Sequence, residues 1–151
     1  MSRKPVSLRI PEDVKTEIDA IARQTKRSFA SVANEMLRED LKMRRVRGIY
    51  FGDEFSRREP KVGGTGLGVW EVIQTYKSMD DDWKRLKAYY EWLDEFQLRM
   101  ALEYYAAYPA EIEDRIAQNE NFSIEEFWAK YPATKPPWAA SAERSFPAVK
   151  A

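Results

Sequence analysis

A single short run of alternating residues near the N-terminus constrains the fold of this chain more than any other feature. Apolar and polar side chains alternate there, with Val6, Leu8 and Ile10 on one face and Pro5, Ser7 and Arg9 on the other. This period of two is typical of a half-buried strand. A lone strand leaves its backbone N–H and C=O groups unpaired, and the residues that follow, up to position 45, show only helical patterns. We therefore expect the strand to pair with its counterpart in a second copy of the chain.

Two amphipathic helices are predicted directly after this strand. Residues 11–13, Pro-Glu-Asp, are typical of a first helical turn, because Pro fits there and acids complement the positive end of the helix dipole. Apolar residues then recur at helical spacing, at Val14, Ile18, Ile21 and Ala22. Ser28 is suited to cap the second helix. The apolar stripe of that helix consists of Phe29, Val32, Ala33, Met36, Leu37 and Leu41.

This order of elements over residues 3–45 resembles the ribbon-helix-helix family of bacterial repressors and antitoxins. The resemblance implies an intertwined dimer in which side chains of the paired strands read DNA bases, while the start of the second helix holds a phosphate. It assigns base reading to Ser7 and Arg9, with Arg3 as an arm. The N–H groups near Ser28 and Phe29 would bind the phosphate. Pro5, at the first outward position, offers no hydrogen-bond donor and contributes only shape or an apolar contact.

The charge distribution favours DNA binding by this N-terminal part. Residues 1–47 carry twelve Lys and Arg against seven Asp and Glu, whereas residues 48–121 carry nine against fifteen. The neutral total therefore conceals a basic N-terminal part and an acidic middle. Phosphate contacts supply much of the affinity of proteins for DNA. The alternative is a dimerisation module that binds no DNA, in which Arg9 is simply a solvated side chain.

The chain contains no Cys and no His. Their absence excludes disulfides, Cys/His zinc sites, thiol nucleophiles and His-based acid–base chemistry. An enzyme would need a carboxylate pair or a lysine in a pocket, and no spacing isolates one. We therefore expect no enzymatic activity and no cofactor. Because the sequence shows neither a signal peptide nor an apolar run long enough to span a membrane, we predict a cytoplasmic, nucleoid-associated protein.

All six glycines lie between positions 48 and 68. Residues 48–55 and 56–62 predict a small hairpin, whose second strand is limited by Pro60. The glycine-rich residues 63–68 then precede a helix. A phosphate-binding loop would require Lys and a hydroxyl residue directly after Gly68, but Val69 and Trp70 stand there, and the dinucleotide fingerprint lacks its third Gly. We interpret the segment as a tight turn that packs the hairpin onto the helix.

Three further helices are predicted. Residues 80–82, all Asp, are interpreted as a helix start rather than a cation site, since consecutive helical residues do not converge on an ion. Asp94 and Gln97 form a capping-box pattern, and residues 110–120 form a last helix around Ile112 and Ile116. The aromatic residues of this region are expected mainly in the core, among them Trp70, Trp83, Tyr89, Tyr90 and Trp92, and the helix after Asp94 is expected to line one face with Phe96, Met100, Ala101, Tyr104 and Tyr108.

Residues 60–72, 97–105 and 109–112 resemble, in order and spacing, the small helical family named domain of unknown function four-thirty-three. Its members are often antitoxins or their relatives. The resemblance implies a helix-turn-helix-like, winged-helix-like domain over residues 47–121, in which the helix from Asp94 takes the place of a recognition helix. Its exposed positions hold Glu95, Glu103 and one cation, Arg99. We therefore expect this domain to mediate assembly or partner binding rather than DNA contact.

Residues 122–151 form a tail rich in Pro and aromatic residues. Its large aromatic residues are Phe122, Phe127, Trp128, Tyr131, Trp138 and Phe146. A solvated linker rarely carries so many, so they pack either on this protein or on a partner. Antitoxins commonly use a C-terminal segment that orders on the toxin, and this architecture implies toxin contacts by Phe127, Trp128, Tyr131 and Trp138.

Together these patterns predict a mainly α protein with three parts. Residues 1–46 form a ribbon-helix-helix domain for dimerisation and DNA binding, residues 47–121 a helical domain with a short hairpin, and residues 122–151 the tail. The expected function is that of a homodimeric transcriptional repressor that is also the antitoxin of a toxin–antitoxin pair, with double-stranded DNA and a toxin protein as partners. The alternative is a stand-alone transcription factor or partition-type protein whose second domain mediates assembly.

Overall fold

A computed structural model of the chain describes residues 3–54 and 57–139. Over these residues the protein is mainly helical, with seven α-helices and one small hairpin. The elements are α1 (Glu12–Thr25), α2 (Phe29–Arg45), β1 (Ile49–Glu54), β2 (Arg57–Val62), α3 (Val69–Ser78), α4 (Trp83–Tyr89), α5 (Glu95–Ala107), α6 (Pro109–Glu120), α7 (Ile124–Lys130) and a 3-10 turn (Pro132–Thr134). None of the helices in these described ranges has the length and apolar character needed to cross a bilayer.

The strand predicted at residues 6–10 is not formed. Residues 3–11 are irregular, and Val6 and Leu8 are 87% and 73% exposed. The physical reason is that a strand is defined by its partner, and within the described chain the sheet contains only β1 and β2, which pair with each other. The ribbon-helix-helix head with intertwined strands is therefore a wrong description of this structure, although its two helices form where they were predicted.

The helix pair α1–α2 encloses a very small core. Ile18, Ala22 and Val32 are its buried residues, and Ile21 and Phe29 pack partly against them. Lys26 ends α1 in the left-handed conformation with φ of 53°, and the Oγ atom of Ser28 accepts the N–H of Ser31 at 3.0 Å as predicted for the cap of α2. The end of α2 leads into the rest of the protein through Val46, which is 1% exposed in the main core.

The main core lies among the hairpin and helices α3 to α6, which we call the body. The strands pair antiparallel from Ile49 opposite Val62 to Glu54 opposite Arg57, and Phe55 and Ser56 of the predicted hairpin lie outside the described residues. The N–H of Gly63 donates to the carbonyl of Gly48 at 2.7 Å. A Cβ atom at Gly63 would approach that oxygen to 2.6 Å, so only glycine fits here. The glycine-rich segment is thus the predicted turn between hairpin and helix.

The predicted caps of α4 and α5 are confirmed. Asp82 accepts the N–H groups of Lys84 and Arg85, and Asp94 and Gln97 cap each other at 2.7 and 2.9 Å. The described part of the chain contains no group of three or more acidic side chains placed to hold a metal ion. Of the three acidic residues at 80–82, only Asp82 caps α4. Asp80 and Asp81 lie in the turn after α3, with φ of 53° and 56°, so the predicted helix start is confirmed only for Asp82.

The expectation that the aromatic residues are mainly core is wrong for three of them. Tyr90 is buried, but Tyr89, Trp92 and Phe96 are 60%, 62% and 53% exposed. The helix α4 ends at Tyr89, so the chain turns and buries Tyr90 and Leu93 while their neighbours point outward. On α5 the predicted face is buried at Ala101 and Tyr104 but exposed at Phe96.

Candidate DNA-binding and partner-binding surfaces

The three predicted base readers lie on the irregular segment before α1. Arg3, Ser7 and Arg9 are all exposed, and neither arginine forms an ion pair with any residue in the described ranges. Their side chains are therefore available to a ligand. The structure does not bring this segment together with the start of α2 through any hydrogen bond among the described residues.

The predicted phosphate site lies at the start of α2. N–H groups of a first helical turn have no acceptor within the helix, and the helix dipole makes them favourable to an anion. Ser28 is exposed and its hydroxyl is occupied by the cap, whereas Phe29 is half-buried against the small core. Phe29 therefore holds the first turn in place, and its contribution to binding is limited to its backbone N–H.

Sequence reasoning did not select Lys26, which stands next to this helix start. Lys26 is exposed in the turn between α1 and α2. Its neighbour Arg27 is engaged instead, because its Nη1 atom donates to Glu35 at 3.0 Å and its Nη2 atom to the Ser31 hydroxyl at 3.0 Å. In the sequence, residues 26 and 27 indicate only that the turn carries two cations. They do not show which of the two forms an ion pair.

An apolar face on α2 remains uncovered. Of the stripe predicted for this helix, Val32 is buried, but Leu37 and Leu41 are 56% and 65% exposed. Met36 on α2 and Val14 on α1 are also exposed. Exposed apolar residues grouped in this way mark an interaction surface more often than isolated ones do.

The helix α5, which the resemblance would make a recognition helix, offers no available cation. Its single cation, Arg99, donates to Glu95 at 2.6 Å and lies over the ring of Trp83 with 5.1 Å between the guanidinium carbon and the ring centroid. The hydrogen bond from Arg99 lowers the pKa of Glu95 below its ordinary value. This pairing agrees with the expectation that the body does not enter a DNA groove.

Two concave regions of the body are lined by charged and aromatic side chains. A groove of about 420 Å³ is lined by Tyr76, Trp83, Arg99, Met100, Leu102 and Glu103, and its charged groups do not converge. The other, of about 100 Å³, surrounds Glu59, which is 5% exposed. Its carboxylate accepts Arg115 at 2.9 Å, and Arg115 stacks on Trp70 at 4.2 Å. Arg115 thus balances the charge of Glu59. The cluster of Glu59, Arg115 and Trp70 stabilises the body.

Two polar bridges join α2 to the body, and no local sequence pattern indicates them. Arg58 on β2 donates to Glu39 at 2.5 Å, and this hydrogen bond raises the pKa of Arg58. Lys42 donates to Glu111 on α6 at 2.6 Å. The paired residues are 19 and 69 positions apart, so local sequence patterns cannot reveal them.

The described part of the tail packs mainly on itself. The helix α7 contributes no buried residue, and neither core cluster includes a residue after Ile116. Phe127 lies between Phe122 and Tyr131, with ring centroids 5.9 and 5.1 Å apart, and Lys135 lies over Trp128. Tyr131 and Trp138 are largely exposed. Phe146 lies outside the described residues.

Comparison of the chain with protein-family models, curated proteins and solved structures gives no match. The surfaces are therefore interpreted from their own geometry. Ser28 and Phe29 share one helix start, and Arg3, Ser7 and Arg9 share one exposed segment. Of the predicted toxin contacts, Phe127 and Tyr131 share one aromatic cluster around α7, Trp128 lies under Lys135, and Trp138 follows the helix.

Proposed function

We propose that this protein is a dimeric DNA-binding transcriptional repressor without enzymatic activity, located in the cytoplasm with the nucleoid. The observation that carries the proposal is the basic N-terminal part, in which Arg3 and Arg9 are exposed before α1 and Lys26 is exposed just before the cap of α2, in a chain of zero net charge. Arginine side chains recognise guanine in the major groove, and helix N-termini bind phosphates. Exposed cations at such a place fit a polyanion better than they fit any other class of ligand.

The proposed dimer forms through the uncovered apolar face of the helix pair. A core of three buried residues is too small to sustain a helix pair by itself. A second copy presents the same face, so a two-fold arrangement covers Leu37 and Leu41 in both copies at once. Dimerisation also doubles the number of phosphate contacts, which raises affinity for DNA.

The tail is proposed to bind and neutralise a toxin protein, which makes the repressor an antitoxin. Its support is the aromatic cluster of α7, which packs on itself outside the main core and keeps Tyr131 and Trp138 exposed. Aromatic residues of this kind are enriched at the centres of protein interfaces. The mechanism is stoichiometric, since the tail covers the toxin surface and no reaction is involved.

A second candidate function is a stand-alone transcription factor or partition-type protein whose body mediates assembly. The observation that favours it is the exposure of three aromatic side chains on the body, Tyr89, Trp92 and Phe96. In that case copies bound at neighbouring sites would contact one another through the body, and no toxin would be required.

Substitution of Arg9 by Ala tests the DNA-binding proposal. One base contact contributes about 1–3 kcal/mol of discrimination, so the preference for the cognate site over unrelated DNA should fall roughly 5- to 150-fold per contact. The cognate site is first obtained by sequencing genomic fragments retained by the full-length protein. Fluorescence anisotropy then gives the affinity for that site and for a scrambled duplex.

Arg99→Ala is the matched control for Arg9→Ala, because it removes an exposed arginine that is already paired with Glu95. It should leave the preference unchanged. Affinity for DNA should also fall steeply between low and physiological salt, since phosphate contacts release counterions. An unchanged preference after Arg9→Ala, or a flat response to salt, would contradict the proposal.

A chain that ends at Asn121 tests the role of the tail. The full chain and the shortened chain are each co-expressed with the product of the adjacent reading frame and purified. The full chain should retain that protein and the shortened chain should lose it, because the shortened chain lacks α7 and its aromatic cluster. Glu126→Gln, an exposed change within α7, serves as the control, because it keeps the aromatic residues and the contact of Lys130 with Tyr131. Equal retention by both chains would exclude the tail as the neutralising segment.

A further inference from the structure

The helix α2 belongs to the helix pair at one end and to the body at the other. It has 17 residues, which corresponds to about 25 Å at the rise of an α-helix. Its first residues carry the proposed phosphate site, while Glu39, Lys42 and Val46 contact the body. These three positions are spaced by three and four residues and therefore share one face.

The first attachment is the bridge between Glu39 and Arg58. Glu39 is 8% exposed, and both of its carboxylate oxygens accept the Nε atom of Arg58, at 2.5 and 3.1 Å. The guanidinium of Arg58 also donates to Asp53 at 3.1 Å and to the carbonyl of Phe51 at 2.9 Å. A planar guanidinium with three different acceptors has its orientation fixed, so α2 is held to the hairpin in one direction.

The second attachment runs from Lys42 into the main core. Glu111 accepts the Nζ atom of Lys42 at 2.6 Å and the hydroxyl of Tyr104 at 2.8 Å. Tyr104 is fully buried, and burial raises the pKa of Tyr104, so its hydroxyl remains a donor. Lys42 also lies 5.0 Å from the ring centroid of Tyr108. The anchor of α2 at this point is therefore the interior of the body.

We infer that Glu39 and Glu111 are positioning residues that fix α2 to the body, so that the proposed DNA-contacting end of α2 and the body move as one rigid unit. The bridges reach two different elements of the body, β2 and α6. Val46, at the end of α2, adds an apolar contact with the main core. One attachment would leave α2 free to turn about it, whereas attachments at two positions along the helix fix both its direction and its rotation. The statement that the first turn of α2 contacts DNA rests on the proposed function. The rigid connection between α2 and the body does not depend on it.

The absence of Cys from the chain allows a direct test. Gln24→Cys at the end of α1 and Ala88→Cys on α4 place spin labels at two exposed positions, one on each side of the connection. Labelled chains are mixed with an excess of unlabelled chains, so that only distances within one chain are measured by pulsed electron resonance. The protein without further changes should give one narrow distance distribution, and the double variant Glu39→Gln, Glu111→Gln should give a broad or displaced one.

The control is the double variant Asp40→Asn, Asp114→Asn. It also removes one negative charge from each of α2 and α6. Asp40, however, pairs with Arg44 within α2, and Asp114 is exposed. Its distribution should stay narrow. The single variants Glu39→Gln and Glu111→Gln are measured as well, and each should broaden the distribution less than the pair, which keeps the test decisive if the double variant does not fold.

The inference would be overturned if the glutamine variants that fold gave distance distributions as narrow as that of the asparagine control. A distribution that is already broad before any of these substitutions would overturn it as well. The measurement contains no DNA. A failure of the DNA-binding proposal, seen with Arg9→Ala, is therefore distinguishable from a failure of the rigid connection. If the DNA-binding proposal and the rigid connection both hold, α2 sets the distance between the bodies of the two copies on DNA. The glutamine variants should then lose their preference among half-site spacings while keeping the preference for the half-site sequence.

Discussion

Replacement of Leu37 and Leu41 by Asp is expected to convert the proposed dimer into monomers. Both side chains are more than half exposed in the single chain, so the substitutions cost the isolated chain little. In a symmetric dimer both leucines of both copies are covered, which makes four side chains. Full burial of one leucine contributes about 1.5–3 kcal/mol. The dissociation constant should therefore rise by at least about a thousandfold. Sedimentation equilibrium over a range of concentrations measures this change directly.

The matched control for this prediction is the pair Tyr89→Asp, Trp92→Asp. It adds the same two negative charges at exposed apolar positions of similar exposure, but on the body rather than on α2. The dimer should persist in this variant if the helix pair forms the interface. A dimer that survives Leu37→Asp, Leu41→Asp and dissociates with the body variant would instead favour assembly through the body.

Glu59→Ala is expected to lower the free energy of unfolding by about 3 kcal/mol. Removal of one partner from a buried ion pair leaves the other charge without compensation, at a cost of about 3–5 kcal/mol. The side chain of Glu59 is 6% exposed and that of Arg115 is 19% exposed, which places the loss at the lower end. After the substitution Arg115 retains its stacking on Trp70 but loses its carboxylate. Urea denaturation followed by tryptophan fluorescence measures the change.

Asp40→Ala provides the comparison for Glu59→Ala. The pair between Asp40 and Arg44 is exposed and local, with its members four positions apart, and such pairs contribute at most about 1 kcal/mol. The double variant Glu59→Ala, Arg115→Ala should lose less than the sum of its single variants, because it leaves no unpaired buried charge. Similar losses for Asp40→Ala and Glu59→Ala would show that the Glu59 cluster does not stabilise the body.

Features that depend on neighbouring residues could be predicted from the sequence. Ser28, Asp82, Asp94 and Ser123 each accept a backbone N–H three residues ahead, and this spacing is visible in the sequence itself. The turn at residues 63–68 was likewise predictable, because the residues after Gly68 exclude a phosphate-binding loop. The interior of α6, around Ile112 and Ile116, follows from helical periodicity.

Features that depend on distant partners could not be predicted in this way. The alternation at residues 6–10 indicates which side chains would share a face, but strand formation depends on a partner that the described chain does not supply. The bridges from Glu39 and Lys42 depend on how α2 meets β2 and α6. The exposure of Tyr89 and Trp92 follows from the end of α4 at Tyr89, which aromatic content alone does not reveal.

The left-handed residue between α1 and α2 shows a conflict between stability and charge. A left-handed conformation costs a residue with a Cβ atom about 1 kcal/mol relative to its usual conformations, and glycine would avoid this cost. Lys26 nevertheless occupies the position, with φ of 53°, directly before the helix that begins at Phe29. The turn therefore retains a positive charge at the expense of folding free energy. That charge stands two residues before Ser28, the cap of α2, where the proposed phosphate site begins.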